Sequence, residues 1–105
     1  MINFKTETLK VLELYNLDVD SILYVSMCPD DEVYFFKWED FIDVCDFEYD
    51  NGYGGVEIDS TLIVVGDTWW LERYDYDGSE WWTPRRSPWS IPGKFIKPSK
   101  ELLFP

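Results

Sequence analysis

The chain contains no histidine. That removes the side chain most often used as a general base near neutral pH, and the commonest transition-metal ligand. A Ser-His-Asp or Cys-His nucleophilic site cannot be assembled from this chain alone. Cysteine is scarce, with only Cys28 and Cys45 present. Two widely spaced thiols without histidine do not make a structural zinc site within one chain. Both have apolar neighbours, which suits small buried hydrophobes better than a redox pair. No stretch approaches the roughly 18 apolar residues of a membrane-spanning helix. The N-terminal MINFKTETLK lacks the apolar run of a secretory leader. A cytoplasmic protein with free thiols, away from membrane, is therefore expected.

Positive charge is also sparse. Residues 1–80 carry 20 acidic and 4 basic side chains, net −16, whereas residues 81–105 carry 1 acidic and 5 basic, net +4, which together make −12. An acidic body repels phosphate, so direct binding to DNA or RNA is disfavoured. Basic proteins and cations are the partners such a surface attracts, and solubility alone is the plainer use of the same charge. What the chain does have is aromatic residues, 19% of the total, within a hydrophobic fraction of 46%. Both exceed what a disordered acidic chain carries. At 105 residues, one domain spanning 1–105 is expected.

The densest aromatic stretch is Asp67–Pro84, DTWWLERYDYDGSEWWTP. Two Trp pairs flank Asp77-Gly78-Ser79, and aromatic runs on both sides of Asp-Gly read as a β-hairpin. Alternation puts Trp69, Leu71 and Arg73 on one side and Trp70, Glu72, Tyr74 and Tyr76 on the other. Upstream, Thr6–Tyr15 has helical spacing, with Thr6 as the expected N-cap, Glu7 among the outward residues and Asn16 as terminator. Ser21–Met27 and Glu32–Lys37 read as paired strands across the turn Cys28–Asp31. In Trp38–Asp46, Trp38, Phe41, Ile42 and Cys45 recur at helical spacing, so Glu39, Asp40, Asp43 and Asp46 form an outward carboxylate stripe. Phe47–Gly55 reads as a loop and Val56–Ile58 as a short extended piece. Ser60–Val65 is the most apolar strand and the expected centre of the sheet. The segment Arg85–Pro105, with four prolines, is expected to run extended across the domain, docked by Trp89, Ile91, Phe95, Ile96 and Leu102–Phe104.

The string WWLERYDYDGSEWW, Trp69–Trp82, resembles a WWLxRxxYDGSEWW motif of small uncharacterised proteins from phages and prophages of low-GC Gram-positive bacteria. The resemblance covers the hairpin and the strand before it. It implies a setting, the cytoplasm of an infected host cell, and no chemistry. Small accessory proteins of this kind act by binding host proteins, defence nucleases among them.

Other constellations are weaker. Asp46, Glu48, Asp50 and Glu57 have the spacing of a calcium loop, but Asn51 stands where the tight-turn Gly belongs. Asp75, Asp77 and Glu80 offer paired carboxylates of glycosidase type, on a chain too small for a deep sugar cleft. Arg85-Arg86 could hold an anion or neutralise the protein's own acid.

These readings converge on an α+β fold: a small antiparallel sheet of about four or five strands, one or two short helices and a Pro-rich extended C-terminal tail. No catalytic residue, metal or cofactor is assigned. The leading expectation is a protein-binding accessory module whose partner is a basic host or phage protein. Glu39, Asp40, Asp43, Asp46, Glu48 and Asp50 would make the contact, in the sharper form as a nucleic-acid mimic. The alternatives are a carbohydrate- or ligand-binding surface on Trp70, Tyr74 and Trp82, and a structural component with no ligand.

Overall fold

The computed structural model describes residues 1–52, 55–87 and 97–104. The fold is α+β. A five-stranded antiparallel sheet runs in the order β3 (Tyr34–Phe36), β2 (Ile22–Met27), β5 (Ile63–Gly66), β6 (Trp69–Tyr76), β7 (Ser79–Arg86). A two-stranded ribbon pairs β1 (Ile2–Asn3) with β4 (Glu48–Tyr49). Three α-helices accompany them among the described residues: α1 (Phe4–Leu14), α2 (Trp38–Val44) and α3 (Lys100–Leu103). The apolar run around Ile63–Val65 is central, as its composition predicts: β5 lies between β2 and β6, with Val64 buried on the inner face and Ile63 and Val65 half-buried on the outer one.

Helix α1 begins two residues earlier than Thr6. Its N-cap is Asn3, whose side chain accepts a hydrogen bond from the Thr6 amide at 2.9 Å. The Phe4 and Lys5 amides donate to the carbonyls of Phe47 and Cys45, each at 2.9 Å. Three of the unpaired donors at a helix start are thus satisfied, two of them by the chain beyond α2. At the other end Asn16 adopts a positive φ of 54° and the Leu17 amide returns to the Leu12 carbonyl, a left-handed C-terminal stop. Glu7 does not face solvent as the helical pattern suggests; it is buried.

The β6–β7 hairpin turns at Asp77 (φ 52°) and Gly78 (φ 83°), with Tyr76 opposite Ser79. Two central residues with positive φ match the right-handed twist of the flanking strands. Both strands run eight residues, so Arg85 and Arg86 belong to β7 and not to an extended tail. Leu102, Leu103 and Phe104 are exposed, and α3 makes that segment helical where an extended course is expected. Trp89, Ile91, Phe95 and Ile96 lie outside the described residues.

Gly66, at the end of β5, has the Trp69 indole directly over it. A Cβ there would collide with the ring, so only glycine admits this closeness. Trp69 then reaches Ser21, donating from Nε1 to Oγ at 3.0 Å. The core forms between the inner face of the sheet and helices α1 and α2, around Val25, Val64, Leu71, Leu12, Phe4 and Trp82.

Candidate binding surfaces

Helix α2 turns Trp38, Phe41 and Ile42 inward and buries Cys45 just beyond its end. Phe41 lies 5.9 Å from Trp38 and 6.3 Å edge-on from Phe4, ring centroid to centroid. With that face held, Glu39, Asp40 and Asp43 are driven outward and are exposed. Asp46 and Glu48 are exposed as well, but Asp46 accepts from the Asn3 side-chain amide at 2.9 Å. Asp50 departs from the expected patch. It is half-buried, its carboxylate accepts from the Gly52 amide at 3.0 Å, and its own amide donates to Glu57. Asp50 builds the loop; Glu39, Asp40, Asp43 and Glu48 are the carboxylates presented. Among the described residues the ion pairs join Arg73 to Glu7 and Glu80, and Arg85 to Glu72, so the α2 stripe has no cation bound to it.

The aromatic surface is composed differently from the trio Trp70, Tyr74 and Trp82. Trp70 and Tyr74 share the outer face of the sheet, but Trp82 is on the inner face and only 3% exposed. The reason is register. A two-residue turn sets Tyr74 opposite Trp81 and Arg73 opposite Trp82. The outward partner is therefore Trp81, 5.3 Å from Tyr74 between ring centroids. Cross-strand pairing extends this face in rows. Tyr24, Val65, Trp70 and Arg85 stand side by side across four strands, and Phe35, Ser26, Ile63, Glu72 and Thr83 across five. Trp70 Nε1 donates to Glu72 at 3.2 Å, and Arg85 Nε donates to the other carboxylate oxygen at 2.8 Å. The Arg85 hydrogen bond is the main reason the Glu72 carboxyl titrates below its ordinary range. Arg86 reaches the Tyr15 carbonyl at 3.4 Å, so both arginines serve the protein's own polar groups.

Behind the hairpin is a buried ionic cluster that sequence reading does not assemble. The Arg73 guanidinium pairs with Glu7 at 3.2 Å and Glu80 at 3.0 Å, and donates to the Tyr49 hydroxyl at 3.0 Å. Tyr49 in turn donates to Glu7 at 2.7 Å. Glu80 also accepts from the amides of Glu57 and Ile58 at 2.7 and 3.1 Å. Trp82, 4.9 Å from the guanidinium carbon, donates from Nε1 to Thr8 at 2.8 Å. Burial first, and the hydrogen bond to Glu7 second, push the Tyr49 phenol well above its ordinary pKa. The one buried side-chain polar atom without a partner among the described residues is Arg73 Nε. The cluster fastens α1, β4 and the loop at Glu57 to the hairpin. Because Glu80 is buried and spoken for, it cannot work with Asp75 or Asp77 on a sugar.

Among the described residues no group of three or more Cys, Asp or Glu side chains has an arrangement to hold a metal ion. Cys28 and Cys45 are both free thiols, and burial pushes Cys45 up to about 12, leaving it protonated at neutral pH. No helix among the described residues is long and apolar enough to cross a membrane. No protein-family model matches the chain, and neither does a curated protein or a solved structure.

Proposed function

We propose that this chain is a non-enzymatic protein-binding module, an accessory protein of the phage or prophage kind, that engages a basic protein in the host cytoplasm. The observation that carries the reading is the α2 stripe. Glu39, Asp40 and Asp43, with Glu48 after them, are exposed on packed elements and bound to no cation among the described residues. Carboxylates held in place steer a positively charged partner and orient it, which a floppy acidic tail does not. Arg73, one of the four cations in the first 80 residues, is consumed in the interior. Spaced carboxylates on one rigid helix are also what a mimic of nucleic-acid phosphates requires, and a basic nuclease groove is the matching target.

The test is capture from host lysate at low and high salt, by the parent protein and by Asp40→Lys/Asp43→Lys. Both positions are exposed, so the double variant keeps its stability within about 0.5 kcal/mol. It is expected to lose the partner, mainly through slower association, and the parent to lose it as salt shortens the screening length towards about 3 Å at 1 M. Capture indifferent to both salt and charge reversal rejects the reading. A second reading rests on the exposed Tyr74–Trp81 pair, two rings tilted at 45° to each other that offer an apolar surface to a sugar. It requires glycan binding that Trp81→Ala abolishes and Asp40→Lys/Asp43→Lys leaves alone.

A further inference from the structure

Beneath α2 the packing is open. A cavity of about 480 Å³ lies between the helix, the ends of β2 and β3, and the loop that leads into β5. Its walls are apolar, with Phe36, Phe41, Ile58 and Leu62 among the lining residues. Val44, 74% exposed yet part of the lining, stands at the mouth. The charged groups that reach the lining are three carboxylates, Asp40, Glu57 and Asp59; among the described residues no lysine or arginine contributes to it. Asp40 is exposed and makes no ion pair with any described residue. Glu57 accepts from the Asp50 amide, and Asp59 accepts from the Thr61 amide and hydroxyl through one oxygen, its second oxygen making no hydrogen bond among the described residues.

Volume and lining both suit a small ligand. Pockets of roughly 300–1,000 Å³ with apolar walls and a few convergent polar groups are where small molecules bind. The charge then selects among apolar ligands. A fatty acid or a phosphorylated lipid would bring its anion against three carboxylates on a chain of net charge −12. A neutral hydrocarbon would fill the walls but leave that rim unmatched. A cation on the end of an apolar group satisfies both parts at once, with the phenyl rings of the wall adding cation–π attraction.

We propose that this cavity is a binding site for a cationic amphiphile: an apolar chain or ring seated against Phe36, Phe41, Ile58 and Leu62, with an ammonium group held at the rim by Asp40, Glu57 and Asp59. The site shares Asp40 with the exposed stripe, whereas Glu39 and Asp43 lie outside its lining, and its occupation does not depend on there being a protein partner.

Titration calorimetry with the full chain and four probes below their micellar concentrations tests this. Octyltrimethylammonium should bind with one-to-one stoichiometry. Octan-1-ol should bind roughly tenfold more weakly or worse, because it keeps the chain and loses the charge. Tetramethylammonium, which keeps the charge and loses the chain, and octyl sulfate, which reverses the charge, should show no saturable binding. Val44→Trp places an indole across the mouth from an already exposed position, and should abolish binding without changing the circular dichroism. Asp40→Asn/Glu57→Gln removes two charges, while the side-chain carbonyl left at position 57 can still accept from the Asp50 amide. It should weaken octyltrimethylammonium binding by roughly threefold to tenfold and leave octan-1-ol unchanged. Absence of octyltrimethylammonium binding overturns the proposal, as do equal affinity for octyl sulfate, equal affinity for tetramethylammonium, or undiminished affinity in a folded Val44→Trp protein.

Discussion

The two faces of the β6–β7 hairpin are made from nearly the same residues and have opposite characters. Each Trp pair contributes one indole to each face: Trp69 and Trp82 go in, Trp70 and Trp81 go out. Each face also holds an arginine paired with glutamate. Inside, Arg73 and its carboxylates are almost wholly shielded; outside, Arg85 and Glu72 are 49% and 39% exposed at 2.8 Å. The contrast teaches that residue type does not set energetic weight here. Burial does, because a desolvated charge or ring has no water to fall back on.

That contrast can be broken by deletion. Trp82→Ala should cost about 3–5 kcal/mol, since it removes an indole stacked at 5.7 Å on Phe4 and takes the Nε1 donor from the buried Thr8 hydroxyl. Trp81→Ala should cost no more than about 1 kcal/mol, the loss of one exposed cross-strand aromatic pair. Urea denaturation of the two variants decides it; equal losses would mean the outer face is also a core. The ion pairs give a matching comparison. Arg73→Met leaves Glu7 and Glu80 buried without a cation and should cost about 3–5 kcal/mol at neutral pH. Arg85→Met should change stability by less than about 1 kcal/mol. An Arg73→Met loss no larger than that of Arg85→Met would show that the buried pairing carries no extra weight.

The smallest effect concerns Tyr49. Its pKa is raised in the folded protein, so the phenol's contribution to stability is intact below its unfolded value of about 10 and is lost as pH rises beyond that. Tyr49→Phe has no proton to lose. The urea midpoint of the parent should therefore fall more steeply between about pH 9 and pH 11 than that of the variant. Parallel slopes would place the alkaline sensitivity elsewhere.

Much of the fold is legible in the residues. The Asp-Gly turn, the apolar central strand and the α2 stripe each follow from short-range pattern. What pattern does not supply is partnership across distance. Glu7 reads as an outward helical residue because nothing local announces Arg73, 66 positions away. Thr6 reads as the N-cap until the Asn3 side chain is seen over its amide. Trp82 is different, because the signal was present. Counting back from a two-residue turn puts Trp81, not Trp82, opposite Tyr74. The half-buried outer sheet face and the cavity under α2 depend on how layers meet, and no spacing rule reaches that far.

The ties between helix α1 and the hairpin also set an order of events. An isolated helix of 11 residues is marginal in water, so α1 depends on its docking contacts. Those contacts include Cys45, Phe47 and Tyr49, and then the hairpin: Trp82 on Thr8, across 74 positions, and Arg73 on Glu7. During synthesis α1 emerges ahead of the whole five-stranded sheet and meets the chain around α2 and β4 long before it meets the hairpin. The core therefore closes late, when the last strand of the sheet captures a segment made long before it. A chain stalled before Glu80 would leave α1 without the Trp82 ring that stacks on Phe4 and the indole donor to Thr8, and so open on its hairpin side to chaperones and proteases.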